Sequence, residues 1–353
     1  MRILVVSDAW RPQVNGVVRT LDTLKTELER TGHDVVMVTP DRFRSIPCPT
    51  YPEIRLALRP GPKVARMIEE AQPCAIHIAT EGPLGWAARR YCIRRGIPFT
   101  TAYHTRFPEY IQARFRLPLR LSYAVMRRFH GASSSVMVAT QGIETELARR
   151  GFARISRWSR GVDTELFRPR PEAKGETGPF AGLPGPIFLY VGRVAVEKNI
   201  KAFLAIDLPG TKVVVGDGPQ LDEMKRKHPE VHFTGAKFGE ELAVHYAAGD
   251  VFVFPSRTDT FGLVLLEALA SGLPVAAYPV PGPNDVIGSH PAGVLDEDLG
   301  KAARAALVID PALCRAHALE FSWGAAARQF VDNLAPFETF PAPGRPARRL
   351  SAA

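Results

Sequence analysis

The sequence has few cysteines among its 353 residues and no long apolar run. The cysteines lie far apart and form no Cys-x-x-Cys pair, which argues against both a zinc site and a disulfide framework. They are Cys48, Cys74, Cys92 and Cys314. No stretch reaches the roughly 18 apolar residues of a membrane span. We therefore expect a cytoplasmic protein that is soluble or peripheral to a membrane.

Acidic residues are scarce in the first half of the chain. Residues 1–160 contain 26 Lys and Arg against 13 Asp and Glu, whereas residues 161–353 contain 19 against 23. The two halves thus carry +13 and −4 of the net charge of +9. A basic half indicates an anionic partner, either a membrane surface, an acidic substrate or nucleic acid. A solvated basic face without any partner is the alternative.

Short apolar runs alternate with helical patterns and predict a doubly wound α/β sheet in the first half. The predicted strands cover residues 3–6, 35–39, 75–78, 99–103 and 136–139. Ligands of such sheets bind beyond the carboxyl ends of the strands, so the loops after the first and fourth strands are candidates for a site. The first loop has no Gly-x-Gly-x-x-Gly, which argues against a nicotinamide dinucleotide.

The strand and helix pattern repeats after a Pro- and Gly-rich linker at residues 168–186. We predict a first domain over residues 1–165 and a second over residues 166–320. A helix over residues 321–335 and a disordered tail over residues 336–353 complete the predicted organisation.

The most informative stretch runs from residue 256 to residue 275 and predicts a polar loop, a buried helix and a strand. Nearly every residue from Phe261 to Ala270 is apolar except Glu267, and an ionised carboxylate in such surroundings needs a partner. That partner is either a protein group or a ligand. Gly262 and the amides of the first helical turn favour an anion in front of the helix.

Two other loops place polar side chains at strand ends. Arg193 and Lys198 lie in one strand-to-helix loop, where two cations can face an anion. His104 lies in the loop after the fourth strand of the first half, together with Arg106 and Tyr110. A lone histidine is more often structural than catalytic, so its position has to decide its role.

Residues 110–130 interleave arginines with bulky apolar residues and contain no acid. The arginines are Arg114, Arg116, Arg120, Arg127 and Arg128. This composition is typical of a segment at a membrane interface, and a helix pair with an Arg-rich outer face explains it equally well.

These motifs together resemble the retaining GT-B glycosyltransferases of glycosyltransferase family 4. The resemblance rests on Gly192-Arg193 with Glu197-Lys198-Asn199, on residues 215–219 and on residues 259–268. Residues 160–167 resemble the interdomain hinge of the family, and residues 12–19 and 103–110 resemble its mannosyl, glucosyl and sulfoquinovosyl glycolipid branch. The resemblance implies two Rossmann-like domains that face each other across a cleft, with the last helix crossing back to the first domain.

The resemblance also implies roles for individual residues. Glu267 would hold the ribose, Arg193 and Lys198 the diphosphate, and Asp259 with the amides of Phe261, Gly262 and Leu263 the donor sugar. Gly16 would contact the distal phosphate, and His104 the sugar from the other side. Asn15, Tyr103, Arg106 and Tyr110 would lie on the acceptor side. Asp259 replaces the Glu that is usual in the family, which shortens its reach by one methylene.

The implied reaction moves a mannose, glucose or glucuronic acid type of hexose from a GDP- or UDP-linked donor to a lipid such as diacylglycerol or a phospholipid. It needs no metal, no other cofactor and no nucleic acid, and it would take place at the inner face of the cell membrane. We find no carboxylate in the first domain that is obviously suited to a covalent intermediate, so same-face substitution is the favoured route. A soluble or polysaccharide acceptor, an epimerase or hydrolase, and a non-catalytic binding protein are the alternatives.

Overall fold

The computed structural model describes residues 1–13, 15–48, 51–338 and 340. The chain forms two compact units. Unit 1 contains residues 1–159 and the segment that begins at Trp323, and unit 2 contains residues 160–322. Across the described residues, no helix is both long enough and apolar enough to span a membrane.

Unit 1 is built on a six-stranded parallel sheet and a separate hairpin. Its strands are β1 (Arg2–Val6), β2 (Asp34–Val38), β3 (Ser45–Cys48), β4 (Tyr51–Ala57), β5 (Ala75–Ile78), β6 (Thr100–Tyr103), β7 (Ser135–Val138) and β8 (Ile155–Arg157). The sheet order is β2-β1-β5-β6-β7-β8, and every pairing is parallel. The five strands that we predicted all exist, with bounds within one residue of those expected.

Helices cover both faces of this sheet. They are α1 (Gly16–Arg30), α2 (Gly61–Ala71), α3 (Pro83–Arg95), α4 (Phe107–Phe115), α5 (Leu119–His130), α6 (Gln141–Arg149) and, from the C-terminal segment, α14 (Trp323–Asp332). Alternate residues of β1 point to opposite faces. Leu4 and Val6 pack in one core with residues of α2 and α3, and Ile3 and Val5 pack in another with residues of α1 and α14.

The antiparallel hairpin of β3 and β4 was not predicted. Residues 45–57 contain three prolines, which lowers the strand signal. The edge strand β8 was also missed, because three residues are too short for a periodic pattern.

Unit 2 has a six-stranded parallel sheet of its own. Its strands are β9 (Ile187–Val191), β10 (Thr211–Val215), β11 (His232–Gly235), β12 (Val251–Phe254), β13 (Val275–Ala277) and β14 (Gly293–Leu295). The order is β11-β10-β9-β12-β13-β14. Its helices are α7 (Ile200–Leu204), α8 (Leu221–Lys227), α9 (Gly239–Ala247), α10 (Leu263–Ala270), α11 (Pro281–Val286), α12 (Leu299–Ala306) and α13 (Pro311–Ala318).

The structure assigns residues 160–165 to unit 2, although we placed them in the first domain. Arg315 on α13 explains the difference. Its guanidinium donates hydrogen bonds to the backbone oxygens of Thr164, Phe167 and Ala270 at 2.7 to 2.9 Å. These hydrogen bonds hold residues 160–165 on unit 2. Their own sequence could not predict this, because Arg315 lies about 150 residues further along the chain.

The tail prediction is wrong for its first residues. Phe337 is buried in the core of unit 1, and its amide donates to the carbonyl of Cys74 at 2.9 Å. The apolar area of this aromatic ring compensates for the entropy of ordering the chain. Residues 341–353, where the rest of the predicted tail falls, lie outside the described residues.

Gly85 allows the first turn of α3 to pack against the loop before it. A Cβ at this position would lie 1.9 Å from the carbonyl oxygen of Thr80, whereas a Cβ at Gly61, at the start of α2, would meet nothing within 4 Å. We expect Gly85→Ala to destabilise the protein by about 2 kcal/mol or more, because backbone has to move. Gly61→Ala is the matched control and should have little effect. Thermal unfolding of both variants checks this, and equal melting temperatures would contradict it.

Candidate active site

The sheet order of unit 2 determines where a ligand can bind. The order in which successive strands are added to the sheet reverses between β9 and β12, which are parallel neighbours although β10 and β11 separate them in sequence. The carboxyl ends of two such strands leave a crevice between their loops. The loop after β9 carries Arg193 and Lys198, and the loop after β12 carries Asp259. The topology therefore brings together three side chains that the sequence predicted as one site.

Three interactions join these two loops. The ammonium of Lys198 lies 2.5 Å from Oδ1 of Asp259, and the side-chain amide of Asn199 donates to the carbonyl of Pro255 at 3.0 Å. The hydroxyl of Thr258 donates to the carbonyl of Glu197 at 3.0 Å. The ion pair is partly buried, so Lys198 is held at the crevice rather than free in solvent.

Asp259 and Glu267 are the two carboxylates of this edge. Oδ2 of Asp259 is buried and has no hydrogen-bond partner among the described residues. Glu267 on α10 is only 3% exposed, and one of its oxygens accepts a hydrogen bond from the hydroxyl of Tyr246 at 2.9 Å. A buried carboxylate oxygen without a donor is costly, and a ligand hydroxyl would satisfy it. The described residues contain no group of three or more His, Cys, Asp and Glu side chains that could hold a metal.

Glycines let the backbone of the crevice pack closely. A Cβ on Gly216, after β10, would lie 1.9 Å from the carbonyl oxygen of Gly192. Gly262 has a φ of +85° and precedes the first turn of α10, so a left-handed residue directs the chain into that helix. The α10 amides thus begin beside Asp259, while Phe261 is buried and Leu263 is partly exposed.

In unit 1, the loop after β1 leads into α1. Asn15 is the N-cap of α1, and its side-chain oxygen accepts from the amides of Val17 and Val18 at 3.0 Å. Its side-chain nitrogen donates to Gln13. The side chain of Asn15 thus shapes the helix start, and its contact with the acceptor stays a prediction. Gly16 is exposed, and a Cβ there would meet nothing within 4 Å.

The loop after β6 places four of the predicted residues. His104 is partly buried, with its ring edge-on to Trp158 at 5.6 Å between centroids, and Tyr110 is partly buried on α4. Tyr103, however, is only 1% exposed and packs in a core with Tyr123 and residues of β7. An acceptor contact by Tyr103 is therefore wrong, because its side chain is packed inside this core.

Arg106 is also corrected. Its guanidinium donates to Glu146 at 2.7 Å and lies 3.9 Å from Glu109. Burial alone lowers the pKa of Arg106, but the two carboxylates outweigh it and leave the pKa raised. Arg106 thus connects the start of α4 with α6, and the carboxylates of Glu146 and Glu109 already compensate its charge.

Sequence reasoning missed two carboxylates at the ligand edge of unit 1. The switch point of this sheet lies between β1 and β5, and Asp8 and Glu81 follow these two strands. Asp8 accepts from the amides of Leu84 and Gly85 at 2.8 and 3.2 Å and so caps α3. Burial raises the pKa of Asp8 to about 6, and these hydrogen bonds oppose the rise. The available signal was a carboxylate two or three residues after each of two predicted strands, Asp8 after residues 3–6 and Glu81 after residues 75–78.

The basic segment forms two helices with an exposed outer surface. On α5, Tyr123, Met126 and Phe129 are buried, whereas Leu121 and Val125 are 56% and 54% exposed. Four arginines of the segment are exposed around them: Arg116, Arg120, Arg127 and Arg128. The backbone of Arg114 belongs to α4, and its side chain lies outside the described residues. We call this surface the α5 basic surface.

Comparisons with known proteins agree with this architecture. The profile "Glycosyltransferase Family 4" matches residues 14–166, and "Glycosyl transferases group 1" matches residues 185–309. A GDP-mannose-dependent alpha-mannosyltransferase of Mycobacterium tuberculosis is 30% identical over 84% of this chain and 83% of its own length. An alpha-monoglucosyldiacylglycerol synthase of Streptococcus pneumoniae is 31% identical over 88% and 79%. The solved sucrose-phosphate synthase of Thermosynechococcus elongatus has a TM-score of 0.77 at 23% identity and covers 94% of this chain and 97% of its own.

The two Rossmann-like units define a GT-B protein, and the site belongs to a glycosyltransferase that uses a sugar nucleotide. The chain is a member of glycosyltransferase family 4, as its motifs predicted.

Proposed function

We propose that this protein is a retaining glycosyltransferase that moves a hexose from a nucleotide-diphosphate sugar to a membrane glycolipid acceptor. The observation that carries the proposal is the crevice of unit 2, where Lys198 and Arg193 share a loop joined to Asp259. Its two mannosyl- and glucosyl-transferring relatives support a hexose. The lipid acceptor follows from the second relative, whose name specifies a diacylglycerol product.

Donor binding divides among three groups. Glu267 accepts hydrogen bonds from the ribose hydroxyls, and Arg193 and Lys198 face the diphosphate. Asp259 accepts from a hydroxyl of the donor sugar through the carboxylate oxygen that has no hydrogen-bond partner within the described part of the chain. The amides that begin α10 add donors at the same edge.

In unit 1, Gly16 leaves open space in front of α1 for the distal phosphate, and His104 contacts the sugar.

Charge development explains the chemical step. The bond between the anomeric carbon and the diphosphate oxygen breaks, and its electron pair leaves with the nucleoside diphosphate. The acceptor oxygen bonds to the same face of that carbon, and its proton passes to the departing diphosphate. Arg193 and Lys198 stabilise the negative charge of the leaving group, so the step requires no metal.

An activity screen tests this function. The protein is incubated with labelled GDP-mannose, UDP-glucose and UDP-glucuronic acid and with vesicles that contain diacylglycerol, glycosyl-diacylglycerol or phosphatidylinositol. We expect one donor to give a lipid product whose anomeric configuration, measured by NMR, equals that of the donor. Inverted configuration would overturn the mechanism. Transfer to a soluble sugar alone would overturn the lipid acceptor.

We further propose that the enzyme works at the cytoplasmic face of the cell membrane and attaches through the α5 basic surface. Leu121 and Val125 are exposed between arginines, an arrangement that lets apolar side chains enter the interface while cations meet anionic head groups. Each cation near an anionic bilayer contributes roughly 1 kcal/mol, so a few give reversible, salt-sensitive attachment.

Reversing three charges on this surface should strongly weaken attachment to anionic membranes. We expect Arg116→Glu, Arg120→Glu and Arg128→Glu together to weaken binding to anionic vesicles by about 100-fold, the equivalent of roughly 3 kcal/mol. Lys225, Arg226 and Lys227, three exposed cations on α8 of unit 2, provide the matched control triple. Co-sedimentation with anionic and neutral vesicles at two salt concentrations is the measurement. Equal loss in both triples would show a general charge effect instead of a surface.

A further inference from the structure

Glu81 lies at the carboxyl edge of the unit 1 sheet, where ligands of parallel α/β sheets bind. It lies in the four-residue loop between β5 and α3, next to the switch point of the sheet. Its side chain is 17% exposed, so it reaches solvent at this edge while most of it is covered. It does not cap α3, since Asp8 accepts the hydrogen bonds of that helix start.

One buried histidine holds this carboxylate. Nε2 of His130, at the end of α5, lies 3.1 Å from Oε1 of Glu81, and Nδ1 lies 2.9 Å from the hydroxyl of Thr101. The His130 side chain is fully buried and its ring stands edge-on to Phe129 at 5.0 Å. Both ring nitrogens are thus engaged, and the surrounding protein covers the ring.

The hydroxyls beneath His130 hold one side of its imidazole ring. Ser133 donates to the backbone oxygen of His130 at 2.7 Å, and Thr101 donates to the Ser133 hydroxyl at 3.2 Å. Each hydroxyl has one proton, so Thr101 can only accept from Nδ1 of His130. The ring is therefore held at Nδ1, and the contact of its Nε2 with Oε1 on the other side fixes the direction of the Glu81 carboxylate.

The remaining charge near Glu81 indicates what it can bind. Asp8 is the neighbouring carboxylate and is buried beside the same loop. Asp8 and Glu81 make this edge of the sheet acidic, although the first 160 residues carry a net charge of +13. They disfavour a phosphate group and favour a ligand that donates hydrogen bonds without carrying charge.

We propose that Glu81 is an acceptor-binding residue that accepts hydrogen bonds from the hydroxyls of an uncharged polyol, either a glycerol or a sugar head group, and that His130 is its positioning residue. This inference rests on the proposed function and narrows its acceptor. A diacylglycerol or neutral glycosyl-diacylglycerol fits this site, whereas a phosphate-bearing head group does not.

The test separates the acceptor from the donor. Glu81→Gln keeps the shape of the side chain and removes its charge. We expect kcat/KM for dioleoylglycerol or glucosyl-dioleoylglycerol in vesicles to fall at least 30-fold, mainly through acceptor KM. Donor KM and the slow hydrolysis of the donor without acceptor should change less than threefold. Glu69→Gln is the matched control, because Glu69 also accepts one side-chain hydrogen bond, from Tyr91 at 2.9 Å, but lies on α2.

Variants of His130 test the positioning role. His130→Gln can still donate to Glu81 through its side-chain amide, whereas His130→Leu cannot. We expect acceptor KM to rise in His130→Leu and to recover at least partly in His130→Gln, with circular dichroism confirming that both fold. Equal acceptor KM in these two variants would overturn the role of His130.

Other outcomes overturn the proposal for Glu81. Unchanged acceptor kinetics in Glu81→Gln, or an equal loss of donor hydrolysis, would remove its acceptor role. Preference of the unmodified protein for phosphatidylinositol would overturn the neutral polyol. A protein that neither hydrolyses nor transfers GDP-mannose, UDP-glucose or UDP-glucuronic acid would fail at the proposed function itself, a result distinct from active protein that is indifferent to Glu81→Gln.

Discussion

Arg193→Ala and Lys198→Ala should each lower kcat by at least 100-fold. Both cations face the diphosphate in our proposal, and they act most strongly when charge develops on the leaving group. Removing one preorganised donor of this kind costs about 3–4 kcal/mol at the transition state. Because the benefit is largest in the transition state, kcat should fall more than donor KM rises.

The structure adds a stability effect for Lys198→Ala. Lys198 also pairs with Asp259, so its removal leaves a partly buried carboxylate without its cation, and Lys198→Ala should lower the melting temperature as well. Lys201→Ala is the matched control, because Lys201 lies on α7 next to this loop and is 58% exposed.

Steady-state kinetics with the preferred donor, together with thermal unfolding, provide the measurement. Turnover within threefold of normal in both variants would overturn the assignment of the diphosphate to this loop.

Glu267→Gln should raise donor KM by about tenfold or more and leave kcat nearly unchanged. Ribose hydroxyls keep the same hydrogen bonds in the ground and transition states, so the loss is one of uniform binding. A hydrogen bond to a charged acceptor contributes about 1.5–3 kcal/mol, which corresponds to roughly 10- to 100-fold in affinity.

Tyr246→Phe separates this role from a structural one. It removes the hydroxyl that donates to Glu267 but leaves the carboxylate that binds ribose. We expect a smaller rise in donor KM than in Glu267→Gln. If Glu267→Gln leaves donor KM unchanged and instead lowers the melting temperature by many degrees, Glu267 has only a structural role as a hydrogen-bond acceptor in the interior of unit 2.

The sequence could predict the sheet strands because their apolar runs are long enough to be buried on both faces. It could also predict that Arg193 and Lys198 share the loop after a strand and that Glu267 lies on a buried helix, since the motifs around these residues are continuous in the chain. It misjudged Tyr103 and Arg106 for one physical reason. Their neighbours in space, Tyr123 and Glu146, lie 20 and 40 residues away in the chain, so no local pattern reveals that they are already engaged.

Sequence alone determined the α/β class, the family and the position of the linker-rich second half, because periodicity and short motifs are local properties of the chain. Only the tertiary structure decided that Lys198 meets Asp259, that Phe337 is buried, and that His130 orients Glu81. Each of these depends on a strand order in which neighbours in the sheet are distant in sequence. The direction of a side chain at the end of a strand is fixed by that order and by its packing, and neither is encoded in the residues beside it.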